Sequence, residues 1–391
     1  MRLATRMGRL GTETAFEVLV RARALEAAGR DVVHLEIGEP DFDTPANIIE
    51  AGCHALRTGW THYGPAAGLP ELREAIANYL NRSRGTSYGP EHIVVTPGGK
   101  PIMFFTILAL LESGDEAIYP NPGFPIYESM INFTGATPVP IPLREEREFA
   151  LDVEELASLI TPRTKLLIIN SPGNPTGGVL SREDLAAIAE LAVKHDLVVL
   201  ADEIYSEILY EGEHVSIATM PGMAERTIIL DGFSKTYAMT GWRLGYGAMP
   251  ADFAEQVAKL MVNSVSCTSM AVQRAGIEAL TGPQDEVRTM VDAFRRRRDL
   301  IVDGLNAIPG IRCLRPKGAF YVFPNITGTG MTSKQFADHL LNEHGVAALA
   351  GTSFGQYGEG YLRLSYANSE ENLKKALERI EAAVRTAAGV A

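Results

Sequence analysis

From about residue 93 onward, short apolar runs alternate with longer segments of helical periodicity. The runs lie at 93–95, 117–119, 137–141, 165–169, 197–201, 227–230 and 244–248. Helical patterns fill most of the gaps, notably 100–111 and 182–195. Runs of Val, Ile and Leu without polar alternation are the mark of strands buried on both faces. Their alternation with helices predicts an α/β fold with a mainly parallel sheet, and ligands of such sheets collect at the carboxyl ends of the strands. Ahead of this region the pattern predicts a helix over 12–28 closed by Gly29, a short strand over 32–37, and helices over 45–59 and 68–80. Beyond it the chain reads helical from 251 to about 280, breaks at Gly282-Pro283, and resumes as a long charged helix over 286–306. Strands at 311–314, 319–323, 346–349 and 361–366, with helices over 333–343 and 370–388, complete the chain.

Polar residues gather where the apolar runs stop. One run ends in Asn170-Ser171-Pro172-Gly173-Asn174-Pro175-Thr176-Gly177, the next in Asp202-Glu203-Ile204-Tyr205, and a third in Gly232-Phe233-Ser234-Lys235. Taken singly, Asn174 reads as a turn residue before proline, Asp202 as a helix N-cap and Lys235 as a surface lysine. Their convergence on one edge of a parallel sheet changes that reading: a lysine there sheds its proton easily and suits Schiff-base chemistry. Thr96-Pro97-Gly98-Gly99-Lys100 joins a strand to a helix N-terminus, a place where backbone N–H groups meet anions. The loop is neither GxxxxGK[ST] nor GxGxxG, so nothing supports a nucleoside triphosphate or a dinucleotide. Gly38 is either turn punctuation or a close-approach position for a ligand. Tyr63 sits in an aromatic loop with its hydroxyl free to donate. Arg363, between Leu362 and Leu364, is either an exposed edge residue or an arginine turned into a cleft to hold a carboxylate.

Composition narrows the classes. The 391 residues are 46% hydrophobic and 21% charged with a net charge of -12, which is ordinary for a globular enzyme and argues against a nucleic-acid partner. The one dense basic run, Arg295-Arg296-Arg297-Arg298, is expected to form a solvated or interface face of a helix. Cys53, Cys267 and Cys313 are scattered, giving neither a disulfide framework nor metal-ligand spacing, so no metal is expected. Residues 1–10 lack the apolar core of a secretory signal, and no stretch approaches the ~20 apolar residues of a spanning helix. A cytoplasmic protein without a membrane partner is the expectation.

Taken together, Asn174-Pro175-Thr176-Gly177, Asp202-Glu203-Ile204-Tyr205, Ser234-Lys235, Gly241-Trp242-Arg243-Leu244-Gly245 and Arg363-Leu364-Ser365 resemble the class I/II aminotransferases, pyridoxal-phosphate enzymes of fold type I. The resemblance spans nearly the whole chain. It implies a large domain, residues 45–283, built on a seven-stranded sheet between helices. A smaller α+β domain would come from residues 1–44 and 284–391. It implies that Lys235 carries pyridoxal 5′-phosphate and shuttles a proton, that Asp202 pairs with the pyridine nitrogen, and that Asn174 and Tyr205 bond the ring's 3′-oxygen. Phe124 stands where the family commonly stacks a tryptophan on the ring. Gly98, Gly99, Lys100, Ser234 and Arg243 would form the phosphate cup, and Gly232 replaces a phosphate-binding serine of some relatives. Tyr63 would reach that phosphate from the partner subunit of a homodimer with shared sites. Arg363, the backbone of Gly38 and Asn174 would hold the substrate α-carboxylate.

The implied reaction moves an amino group from an L-amino acid to a 2-oxo acid by a ping-pong cycle. The Gly98-Gly99-Lys100 loop resembles that of thermophile-type aspartate aminotransferases, where the lysine helps bind a distal carboxylate, and so favours aspartate or glutamate. Phe16 and Glu17, where those relatives place small hydroxyl residues, instead favour a neutral, aromatic or basic side chain. A C–S β-lyase uses the same constellation. A non-enzymatic sensor is disfavoured by the acidic charge and the absence of a helix-turn-helix before residue 12.

Overall fold

The computed structural model describes residues 1–387. Its centre is a seven-stranded sheet made of β1 (Ile93–Thr96), β2 (Glu116–Asn121), β3 (Thr137–Pro142), β4 (Thr164–Asn170), β5 (Val198–Asp202), β6 (Thr227–Gly232) and β7 (Gly245–Ala248). The spatial order is β1-β7-β6-β5-β4-β2-β3, and only β7 runs against its neighbours. The sheet is therefore mainly parallel, as the apolar runs predict. Separate apolar clusters cover its two faces. Ile102, Tyr127, Ile168 and Leu230 belong to one, Leu167, Ile169, Ile188 and Val199 to another. Successive strand residues supply opposite faces, so both must be covered for such runs to be stable.

A second body of structure joins the two ends of the chain. Val33–His34 pairs in parallel with Val346–Ala347, and Leu349–Ala350, Leu362–Ser365 and Tyr321–Val322 form a three-stranded antiparallel sheet. The long helix Asp285–Asn306 and the helix Glu370–Ala387 pack over this core, which includes Leu35, Phe294, Phe320, Phe336 and Leu364.

Several expectations need correction. The segment expected to be helical from 251 to 280 is two helices, Ala251–Ser264 and Met270–Thr281, interrupted where Ser266 takes a left-handed φ of 64°. The strand expected at 311–314 is reduced to a single bridge between Arg312 and Asn325, and that at 32–37 to two residues. Helix Val153–Leu159, capped by the Asp152 carboxylate, escapes the periodicity because it spans under two turns. The terminal helix was expected to reach Ala388, which lies outside the described residues. Finally, the four arginines do not share one solvated face. Arg298 is 5% exposed and pairs with Glu211 and Asp299, while Arg297 reaches Asp41 and lies over the rings of Phe42 and Phe294.

Candidate active site

The carboxyl ends of β4, β5 and β6 lie side by side, with Asn170 opposite Asp202 and Asp202 opposite Leu230. Over them opens a cavity of about 940 Å³ that brings together Gly38, Gly99, Lys100, Phe124, Asn174, Asp202, Tyr205, Ser234, Lys235, Arg243 and Arg363. Residues scattered over more than three hundred positions of sequence thus face one space.

Lys235 follows β6 in a tight turn and is half-buried. Its Nζ donates to the Gly38 carbonyl at 2.6 Å. Burial brings its pKa from 10.5 down to about 8; the Arg363 and Arg243 charges add to the fall and the Glu39 carboxylate opposes it. About a tenth of the amine is therefore neutral at pH 7, against roughly one part in three thousand for an ordinary lysine. Asp202, at the end of β5, accepts a hydrogen bond from the Tyr127 hydroxyl at 2.5 Å and one from the Ile204 N–H at 3.3 Å. Burial raises its pKa to about 6, and those two bonds hold it from going further. A buried carboxylate in that state needs a cationic partner, and a protonated pyridine nitrogen would fit that need. Tyr205 is hydrogen-bonded to the Tyr321 hydroxyl at 2.8 Å, and burial pushes its own pKa well above the usual range.

At one end of the cavity the chain builds an anion cup. The helix Lys100–Leu110 begins there, and Gly98 sits so close to Arg243 that a Cβ would lie 2.1 Å from its Nη2. Only glycine fits, all the more because Gly98 has φ +88°. Its own N–H is spent on the Thr96 carbonyl at 2.8 Å, so the Gly99 and Lys100 N–H groups are the ones left at the helix head. Arg243 adopts φ 55°, a conformation costing a non-glycine residue roughly 1–2 kcal/mol. Its Nη1 donates to the Thr240 carbonyl at 2.7 Å, which fixes the guanidinium beside the helix end. Gly245 lets β7 come within reach of the same turn, since a Cβ there would stand 2.4 Å from Gly99 N. Helix N–H groups, a guanidinium and the Ser234 hydroxyl make a donor set that fits a phosphate.

The opposite end suits a carboxylate. Of the two readings of Arg363, the cleft-facing one is correct: it is 4% exposed. Nη2 donates to the Glu36 carbonyl at 2.5 Å and Nη1 to Asn174 Oδ1 at 3.2 Å, while the buried Nε has no partner among the described residues. The guanidinium lies over the rings of Tyr321 and Phe354, at 4.6 and 4.9 Å from their centres. Gly38 approaches so closely that a Cβ would fall 2.3 Å from the Tyr321 hydroxyl.

Behind the site, Arg84 is buried at the end of helix Pro70–Arg84 and binds both Glu203 (3.2 Å) and Asp231 (2.6 Å). Glu203 adjoins Asp202, and Asp231 lies within β6 just ahead of the lysine turn. This one guanidinium therefore anchors two of the strand ends that carry the site.

Two expected residues stand apart. Tyr63 is 89% exposed and does not face the cavity of its own chain. Lys100 does face it, with its ammonium 5.4 Å from the Phe124 ring centre, but its ion-pair partner is Glu13. Sequence reasoning missed Glu13, and also Tyr127 and Tyr321. Tyr127 reads as an ordinary apolar-face residue of a helix start, and its link to Asp202 spans 75 positions. Tyr321 lies in an apolar run with nothing to distinguish it.

Residues 30–380 match the family described as Aminotransferase class I and II. An aspartate aminotransferase from Pyrococcus abyssi is 46% identical over 364 residues, covering 92% of this chain and 93% of that protein. An arginine–pyruvate transaminase from Pseudomonas aeruginosa is 41% identical over 366 residues, covering 94% and 93%. Among solved structures, the aspartate aminotransferase from Thermus thermophilus with maleate superposes with a TM-score of 0.94 at 42% identity, covering 98% of this chain and 100% of that one.

Proposed function

The chain belongs to the class I and II aminotransferases and uses pyridoxal 5′-phosphate, and on that premise we propose that it transfers the amino group of aspartate or glutamate to a 2-oxo acid. Lys100 carries this reading: its ammonium lies on the cavity wall near Phe124, and neither the phosphate cup nor the α-carboxylate site employs that side chain. Names of relatives such as aspartate aminotransferase support the same donor class.

Pyridoxal phosphate supplies, when bound, an electron sink for the pair left on the substrate Cα. The chain's own residues do the rest. Gly99 and Lys100 N–H groups, Ser234 and Arg243 take the phosphate beside Gly98. Asp202 keeps the pyridine nitrogen protonated and is itself oriented by Tyr127. Phe124 would lie against the ring, and Asn174 and Tyr205 would bond its 3′-oxygen. Arg363, with its unspent Nε, receives the α-carboxylate near Gly38 and Asn174. Lys235 Nζ, with its lowered pKa, would take the proton from the substrate Cα and deliver it across the amino nitrogen to C4′ of the cofactor.

Tyr63 is assigned to the phosphate of a second copy's site, because its exposed hydroxyl finds no use in its own chain. Leu3, Phe16 and Val20 are exposed as well and suit such a contact. The active form is then a homodimer with shared sites, and the mass in solution, one chain or two, decides it. The division into residues 45–283 and a smaller unit from 1–44 and 284–391 follows the pairing of the chain's two ends. The absence, among the described residues, of a helix long and apolar enough to cross a membrane, together with the acidic charge, supports a cytoplasmic enzyme without nucleic-acid or membrane partners.

Lys100→Ala tests the substrate assignment. It is expected to raise KM for aspartate and glutamate about tenfold, the worth of one charge-assisted hydrogen bond, while alanine turnover changes little. An equal loss on alanine and aspartate would remove Lys100 from substrate recognition.

A further inference from the structure

Glu13 immediately precedes the helix Thr14–Ala27 and reaches back into the cavity, where its carboxylate forms an ion pair with Lys100. Its side chain is 20% exposed and that of Lys100 50%. Both residues line the same space as Gly38, Arg363 and Lys235. Lys100 is thus already bound to a group of the kind that an acidic donor would present to it.

Two carboxylates on one ammonium repel each other and leave a net negative charge, so an incoming aspartate competes with Glu13 for Lys100. Within one chain, residues 1–12 carry no buried side chain that such a displacement would unpack. The arm is held near this point by a hydrogen bond from Gly11 N–H to Ser129 Oγ, 2.9 Å long and independent of Glu13. With an uncharged side chain in the pocket, Glu13 stays on Lys100 and no ammonium is left without a partner. A transamination cycle passes two different side chains through one pocket, and when only one of them is acidic a bare lysine suits that one alone.

We propose that Glu13 is a specificity-determining residue, a resident counter-ion on Lys100 that acidic side chains displace and uncharged side chains leave in place. The inference rests on the reading of Lys100 as the distal cation of the substrate pocket. It adds that the same pocket takes a second, uncharged substrate class and that Glu13 sets the ratio between the two.

Glu13→Gln keeps the shape of the side chain and removes its charge. The test measures binding of succinate and butyrate to the holoenzyme by calorimetry. Neither ligand has an amino group, and only succinate carries a second carboxylate. The variant is expected to bind succinate about fivefold more tightly, as for loss of a half-exposed competing ion pair, and butyrate no more tightly. The aspartate-to-alanine ratio of kcat/KM should rise by a similar factor. In a Lys100→Ala background the gain should vanish. Unchanged or weaker succinate binding overturns the proposal. So does a gain that persists without Lys100, because Glu13 would then act only as a general negative charge. The binding arm needs no turnover, so it decides the role of Glu13 even if aspartate proves not to be the donor. If aspartate is turned over and succinate binding is unmoved, the assignment of Glu13 alone falls.

Discussion

Lys235, half-buried, and Asp202, buried, both sit at strand ends, yet loss of solvent acts on them in opposite senses. The lysine becomes a weaker base and the carboxyl a weaker acid, because each loses solvation of its charged form. For Lys235 the outcome is a nucleophile ready near neutral pH. The folded pKa lies below the ordinary one, so the reactive neutral form gains population as pH rises through about 8 rather than through 10.5. Labelling of the cofactor-free protein with an amine-reactive reagent, followed by peptide mapping, should show the Lys235 rate climbing through that lower range. A midpoint at the value of an ordinary surface lysine would contradict the burial argument. Arg363 shows a different residue-scale effect. Four neighbours, Glu36, Asn174, Tyr321 and Phe354, hold it in place through two donors and two ring faces, which leaves Nε for the substrate.

At the scale of elements, the strand ends were legible because an apolar run that stops on Asn, Asp or Lys marks both a buried strand and the edge where its ligand sits. Glu13, Tyr127 and Arg84 were not. Their partners lie 87, 75 and at least 119 positions away, and neither periodicity nor composition carries information over such distances. The short strands of the second body were poorly placed for a related reason: two residues cannot display a period. Arg84 gives the element-scale prediction. Its side chain is 1% exposed, and Glu203 and Asp231 are each 4% exposed. Arg84→Met leaves the buried Asp231 without its cation and Glu203 with His214 alone, at a cost of roughly 3–5 kcal/mol. Denaturant unfolding should register that loss, and an unchanged midpoint would show that the strand ends are held by packing alone.

At the scale of the whole molecule, the two ends of the chain meet in one body whose Arg363 closes over a site built by the central sheet. The N-terminal arm adds Glu13 to the same cavity, so recognition of the donor draws on every part of the chain. The central claim is that this cavity takes the amino group from aspartate through Lys235 and keeps it until an oxo acid arrives. The most direct test adds aspartate alone to the holoenzyme and measures oxo acid and ammonia. The account predicts one equivalent of oxo acid per chain and no ammonia, a second turnover only after 2-oxoglutarate is supplied, and no product from Lys235→Ala. Continuous release of ammonia, or product formation that survives the loss of Lys235, would contradict it.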